Sequence, residues 1–458
     1  MGRSVSVSNS VPDATFYHKR SNRYYSVRAG RMRRHQNDAQ GREVNVVEKT
    51  IDFGIGSGNH AVTYIHRSAD GRLTELPVSF YALYGWAMSP GYDKPDHLDF
   101  RREVDPACLF CHSDSGEPSP IGCGRCHGDG AAHASKPTRG NIVNPKRLPA
   151  SRQLDICLQC HLETASSGFP DSLRHAGRDV WSFRPGEALT SYKAYFDRDD
   201  GTGAGNDRFE VNHAGYRLMQ SRCFTESAGR MTCTTCHDPH TAKARNACAS
   251  CHASPHANEA TPCAACHMPK RAAEDAIHVR MTDHKIVRAP KFEEPNRKGH
   301  DLFSGRLKLF YGSGLLELAQ VRQTIDSGRG SEESYRRWVD LEPGSVPALA
   351  ALGEALMRFG KRTEAVRLLE KARAAGPRNV AVLNALAIHH ATEGRLPKAM
   401  ELLEQARAAK PDHPLTWINL GVTHEAMGSA DKARSAYLEA VRLQPDSSEA
   451  RRRLAALQ

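Results

Sequence analysis

The sequence contains no run of about 18 consecutive apolar residues, so nothing in it reads as a membrane-spanning helix. Aromatic residues make up only 7 % of its 458 positions. The opening residues, Met1 to Pro12, are polar and Ser-rich and lack the apolar segment of a secretory signal. Cysteine is absent after Cys266, the last of thirteen. The chain is therefore chemically divided, and its length calls for two or three domains.

Twelve of the thirteen cysteines form six pairs, every pair spaced Cys-x-x-Cys and followed at once by His. The first cysteines of the pairs are Cys108, Cys123, Cys157, Cys233, Cys248 and Cys263, and the second are Cys111, Cys126, Cys160, Cys236, Cys251 and Cys266. The histidines are His112, His127, His161, His237, His252 and His267. Two thiols one helical turn apart reach the two vinyl groups on one edge of a porphyrin, and the adjoining imidazole then lies under the iron. The expected cofactor is thus six covalently attached c-type haems. Zinc, the main rival, does not require a His after every second Cys, and a redox or structural disulfide does not either.

Cys108 and Cys123, and again Cys233, Cys248 and Cys263, recur every 15 residues. No domain fits in the intervening gap, so successive haems are expected to be neighbours, a geometry suited to electron hopping. A second axial ligand for each iron has to come from the histidines outside the motifs. His60, His133, His240, His256, His278 and His284 are the favoured distal candidates by local context, with His97, His175 and His213 in reserve. His18 and His35 would suit a haem bound further upstream. Met88, Met219, Met268 and Met281 are expected to pack rather than ligate, and the unpaired Cys223 to be a buried thiol.

The formal charge of +11 would ordinarily raise nucleic acid or an anionic surface as partner. Each ferric haem brings about −1, so six leave a holoprotein near roughly +5. Arg23, Arg28, Arg31, Arg33 and Arg34 surround Tyr24 and Tyr25 without any recognition motif, and read as propionate partners or a solvated strand face.

Along the chain, residues 1–100 alternate in short strand-like runs, with Asp70-Gly71 marking a hairpin turn between two of them. Gly54, Gly56 and Gly58 mimic a phosphate loop but lack its strand-to-helix context and spacing, so they read as a turn or a close approach to a haem. Residues 101–295 are loop-rich, with short helical candidates such as Arg152 to Glu163, and depend on porphyrin faces for much of their interior.

Residues 304–458 change character. Pro343, Pro377, Pro411 and Pro445 recur every 34 residues, and small residues fall at fixed offsets: Gly353, Ala387 and Gly421, then Ala365, Ala399 and Ala433. These are tetratricopeptide positions. The boundaries are a degenerate repeat at 312–345, repeats at 346–379, 380–413 and 414–447, and a capping helix at 448–458. The fold class is accordingly multidomain: a small β-rich N-terminal part, a loop-rich multihaem cytochrome c domain, and an all-α repeat solenoid.

The segments Cys-His-Met-Pro-Lys at 266–270, Thr-Cys-Thr-Thr-Cys-His-Asp-Pro-His at 232–240, Gly-Cys-Gly-Arg-Cys-His-Gly at 122–128 and Gly-Trp-Ala-Met-Ser-Pro-Gly-Tyr-Asp at 85–93 together carry a resemblance. The chain resembles bacterial multihaem cytochromes c fused to tetratricopeptide repeats. More distantly, it is similar to the superfamily of pentahaem nitrite reductase, hydroxylamine oxidoreductase and the tetrahaem cytochrome of nitrification. The resemblance implies a periplasmic or exported electron-transfer protein with mostly bis-His haems. It also implies a signal and a further motif upstream of the present start, so the sequence is expected to begin internally. No Cys-x-x-Cys-Lys site occurs, which departs from the lysine-ligated haem of the nitrite reductases.

The leading expectation is an electron carrier whose repeats dock a redox partner protein or other peptide ligand, with no nucleic acid partner. The alternatives are an oxidoreductase with one open haem acting on nitrite, hydroxylamine or a sulfur oxyanion, and a repeat-based assembly protein whose haems are structural.

Overall fold

The computed structural model describes the chain except residues 1–4, 8–10, 57, 115, 163–171, 200, 202–206, 242, 246, 253–261, 277, 289–304 and 458. The chain forms two compact units, one of residues 1–16, 27–31 and 50–320, the other of residues 17–26, 32–49 and 321–458.

In the first unit, strands Val5–Val7, Phe53–Ile55, Ala61–Arg67, Val78–Tyr81 and Gly85–Met88 pair antiparallel in that order, with Leu73–Glu75 paired to Ala61–Arg67 beside them. Ile65, Leu76, Val78, Tyr81 and Ala87 are buried along this sheet. The expected hairpin turn forms: Ser68 N–H donates to Arg72 O at 2.9 Å, and Gly71 takes φ +84°. Gly56 is a turn as expected, since a Cβ there would lie 2.3 Å from Ala61 O.

The cysteine-rich part of this unit is built from short pieces, as its composition predicts. A helix spans Ala150–His161, displaced by two residues at its start from the predicted one. Strands Ser172–Arg174, Lys193–Asp199 and Arg306–Tyr311 make a small sheet, and Lys270–Ala272 pairs with Arg280–Thr282. An aromatic core of Phe110, Leu154, Leu158, Phe183, Tyr192, Tyr195 and Tyr216 sits against that helix.

The second unit contains the repeats. Helix pairs Val346–Arg358 with Arg362–Ala375, Val380–Thr392 with Leu396–Ala409, and Pro414–Ala426 with Ala430–Leu443 follow the predicted boundaries, and Ser448–Ala456 follows the last pair. Ser345, Asn379 and Ser447 accept the backbone N–H three residues ahead and so fix where three of these helices begin. The small residues in the period have a steric reason: a Cβ on Gly353 would lie 2.7 Å from Leu369, and one on Gly421 would lie 2.3 Å from the Tyr437 ring. Between the second and third repeats, buried Asn384 donates to Thr416 Oγ1 at 2.9 Å and accepts from Asn419 at 2.8 Å.

Two expected boundaries are corrected here. Residues 1–100 do not all belong with the cysteine-rich region. Strands Ala14–His18, Arg23–Arg28, Arg31–Asn37 and Glu43–Thr50 form a sheet of their own in chain order, and 17–26 and 32–49 fall in the repeat unit. Conversely, the segment opening the expected 304–458 domain supplies strand Arg306–Tyr311 to the first unit, where Tyr311 donates to Asp155 at 2.7 Å. The cause of the first correction is two arginines. Alternation buries Arg23 and Arg34 on one face of the sheet, where Arg23 pairs with Asp446 and Arg34 donates to Arg442 O at 3.3 Å and to Asn45 O. They are thus buried anchors to the last repeat, and neither a solvated face nor propionate partners.

A buried guanidinium is stable only while its donors are met. Replacing Arg34 by Met strips the Arg442 and Asn45 carbonyls of their donor. The expected loss is about 1–3 kcal/mol in unfolding free energy, read by urea titration of the whole chain. An unchanged midpoint would show that the anchor contributes nothing.

Candidate haem-attachment sites

Each Cys-x-x-Cys-His motif sits on a turn of helix: Pro106–His112, Gly124–His127, the end of Ala150–His161, Cys233–Cys236, the 3-10 turn Cys248–Ser250, and Cys263–His267. The reason is local. A Cys-x-x-Cys spacing occupies nearly one turn, and Asp105 caps the first by accepting from Cys108 N at 3.0 Å. All thirteen cysteines are free thiols, and Cys108, Cys123, Cys248, Cys251, Cys263 and Cys266 are exposed.

The motifs converge. Cys111, Cys160 and Cys233 all pack on the aromatic core, so the first, third and fourth motifs share one wall. The thiols of Cys157 and Cys233 are hydrogen-bonded, which holds Cys157 well above the usual thiol range and pulls Cys233 below it. Burial, and next the neighbouring Cys157, pushes Cys126 up to about 11. On the other side, Cys248 is raised by burial, then by the adjacent Cys263 to which it hydrogen-bonds. Cys223 lies near Cys236 and Cys248 and is half-buried rather than enclosed.

Two motif histidines are clamped the same way. His127 Nδ1 lies 2.8 Å from Val143 O, and Val143 N–H returns a bond to His127 O at 3.1 Å. His267 Nδ1 lies 2.7 Å from Val287 O, with Val287 N–H returned to His267 O at 3.1 Å. A carbonyl on Nδ1 fixes that nitrogen as the proton carrier, which leaves Nε2 with the lone pair a metal needs. His112, His161 and His284 all have depressed basicity from burial, and for His161 the neighbouring His284, His237 and His112 add to it.

Two of the favoured distal candidates lie opposite motif histidines. The rings of His127 and His240 are 6.1 Å apart at 20°, and those of His237 and His284 are 6.1 Å apart at 30°. His284 Nδ1 is also held by Thr282 O at 3.1 Å.

The others lie elsewhere. His60 is exposed, its carbonyl accepting Ala82 N–H. His133 Nδ1 sits between Thr138 O at 3.1 Å and Asn141 Oδ1 at 3.0 Å. His278 stacks on Tyr84 at 3.9 Å. His256 lies outside the described residues. Of the reserves, His97 Nδ1 meets Lys94 O, His175 Nε2 meets Thr190 O, and His213 is buried 3.5 Å from the Glu210 carboxylate, with burial lowering its pKa to about 4. His18 Nδ1 meets Ser21 Oγ, and His35 stacks on Tyr24.

The donor set fits haem: free thiols in pairs, at two motifs an imidazole with Nδ1 tied back, and at two motifs a second imidazole ring close by. Among the described residues no group of three or more His, Cys, Asp or Glu is arranged around one metal position. A haem iron asks the protein for only two axial ligands.

Sequence reasoning missed the buried charges around these sites. Arg217 donates to Asp283 at 2.7 Å, and Arg271 to the same carboxylate at 3.0 Å. Arg208 pairs with Glu210 at 2.7 Å, and Tyr216 donates to Asp197 at 2.8 Å. Nothing in the spacing announces them, because their partners are up to 66 residues apart.

Comparison with known proteins bears on the second unit. Residues 350–414 and 390–457 match models of the tetratricopeptide repeat family, so this region is a tetratricopeptide repeat array. Arrays of this kind bind protein or peptide ligands. Solved structures similar to the chain include MamA, 21 % identical over 30 % of this chain and 81 % of that one, with a TM-score of 0.27. The first TPR of Spaghetti (RPAP3) bound to HSP90 peptide SRMEEVD is 20 % identical over 24 % and 89 %, with a TM-score of 0.24. PilF of Pseudomonas aeruginosa is 22 % identical over 31 % and 65 %, with a TM-score of 0.28. No curated protein matches the chain. No described helix is long and apolar enough to cross a membrane.

Proposed function

We propose that this chain is a multihaem c-type cytochrome that carries electrons through six covalently attached haems, with its repeat array docking a partner protein, in the periplasm or outside the cell. The observation that carries the reading is the pair of imidazole couples, His127 with His240 and His237 with His284, each at 6.1 Å. Bound haem supplies a one-electron couple at each site. The chain's own residues do the rest. Six pairs of thiols hold the groups, His127 and His267 are oriented through their Nδ1 carbonyls, and the shared aromatic wall brings the first, third and fourth sites side by side. His240 and His284 would supply second ligands to two of the groups, and filled coordination there would favour carrying electrons over binding a substrate. A repeat array in the same chain gives a carrier a means of holding its redox partner close, which raises the effective concentration for transfer.

The test is a haem count. Produced with haem-maturation machinery, the protein is expected to carry six haems by intact mass, and the Cys157→Ser/Cys160→Ser variant five. A mature protein at apoprotein mass would sink the reading. Electron paramagnetic resonance then separates carrier from enzyme. Low-spin iron that ignores nitrite and hydroxylamine is the expected result; a high-spin signal that moves with either makes this a haem oxidoreductase.

A further inference from the structure

Arg125 occupies one of the two positions between the cysteines of the second motif, and its side chain is only 11 % exposed. The guanidinium lies over the Phe110 ring at 4.2 Å and the Trp181 ring at 4.4 Å, in the corner formed by two rings whose centroids are 5.8 Å apart. Phe110 holds the equivalent position in the first motif. Nε and Nη2 both donate to Ser113 O at 3.1 Å, just beyond the first motif's histidine. Gln159, between the cysteines of the third motif, donates to Arg125 O at 3.1 Å. The sulfurs of Cys111 and Cys160 are within its electrostatic reach. The intervening residues of three attachment motifs therefore interlock around one cation. Its carboxylate partner is remote: Asp114 Oδ1 stands at 4.0 Å, one third exposed.

A guanidinium stays charged at every working pH. Reducing an iron adds negative charge, so a fixed cation held nearby stabilises the reduced form, more strongly where water is excluded. Trp181 and Phe110 exclude it here. Resting on the multihaem reading above, we propose that Arg125 is a potential-setting residue, its charge raising the reduction potentials of the groups held at the first three motifs. Its role is electrostatic positioning, and the residue ligates nothing.

The experiment compares wild type, Arg125→Gln, Arg125→Lys and Asp114→Asn holoproteins by intact mass and by optical potentiometric titration. In Arg125→Gln, up to three components of the titration move to lower potential while the others stay. Arg125→Lys keeps the charge and restores most of the wild-type curve. Asp114→Asn removes the partial counter-charge and moves the same components upward. That variant sits at a partly exposed carboxylate, so it decides the matter even where Arg125→Gln fails to mature. Six haems with a titration that superimposes on wild type in both Arg125→Gln and Asp114→Asn overturns the proposal. So does an Arg125→Lys curve displaced as far as that of Arg125→Gln, which would mark a packing role. Failure of the multihaem reading is separate, since it shows first in the wild-type mass.

Discussion

If the proposed multihaem reading holds, substituting His284 by Ala is expected to convert one of six irons from low to high spin and leave the remaining five unchanged. His284 is half of the couple at 6.1 Å, and its own Nδ1 is tied to Thr282 O, so the ring is held in place before any metal arrives. Alanine cannot replace that ligand, and the open position would accept a small exogenous ligand such as imidazole or carbon monoxide. The measurement is electron paramagnetic resonance with and without added imidazole. Recovery of the low-spin signal on addition completes the argument. The same substitution at His278, whose ring lies on Tyr84, is expected to leave the spin states alone. If His278→Ala produces the high-spin iron and His284→Ala does not, the assignment of the second axial ligands is reversed.

The second large effect lies in the repeat array. Gly421→Val places branched carbon where an added Cβ would already be 2.3 Å from the Tyr437 ring, and Tyr437 is fully buried with its hydroxyl bonded to Glu425 at 2.8 Å. The ring has nowhere to retreat, so helices Pro414–Ala426 and Ala430–Leu443 must part. Overpacking of this kind costs about 3 kcal/mol, and in a unit of this size that lowers the melting temperature by roughly 6–12 °C. Differential scanning calorimetry reads it directly. Gly421→Ala is expected to cost less, because Ala387 already occupies the corresponding place in the preceding repeat against Leu403. A Gly421→Val protein melting with wild type would mean that the helix crossing is looser than its contacts imply.

What could be read from the sequence follows the range of the interactions involved. The repeats were legible because each is fixed within 34 residues by small residues opposite large ones, as Gly353 is opposite Leu369. The attachment motifs were legible because covalent chemistry dictates five consecutive positions, and the Asp70-Gly71 turn because one glycine supplies its backbone angle. Which histidines neighbour which was legible only in part. His240 lies three residues past a motif histidine yet faces His127, a pairing that no local pattern specifies. Arg125 was invisible because it looked like an ordinary residue between two cysteines; its meaning lies in Phe110, Trp181 and Gln159. The N-terminal arginines were misread for the same reason. Their strand alternation shows one face buried, but not that the covering residues are Arg442 and Asp446.

That last contact also bears on the order in which the chain can fold. Arg23 and Asp446 are separated by 423 positions, and Arg34 and Arg442 by 408. The strands carrying these arginines are therefore covered only once the last repeat has formed. Until then the strand face that carries Arg23 and Arg34, with the buried Tyr25 and Met32, stays open. Early strands of this kind, with open backbone edges, are what holdase chaperones recognise, and a stalled or shortened chain would leave them permanently uncovered. The N-terminal sheet and the last repeat are thus folding partners: neither Arg23 nor Arg34 meets its partner until the other has formed.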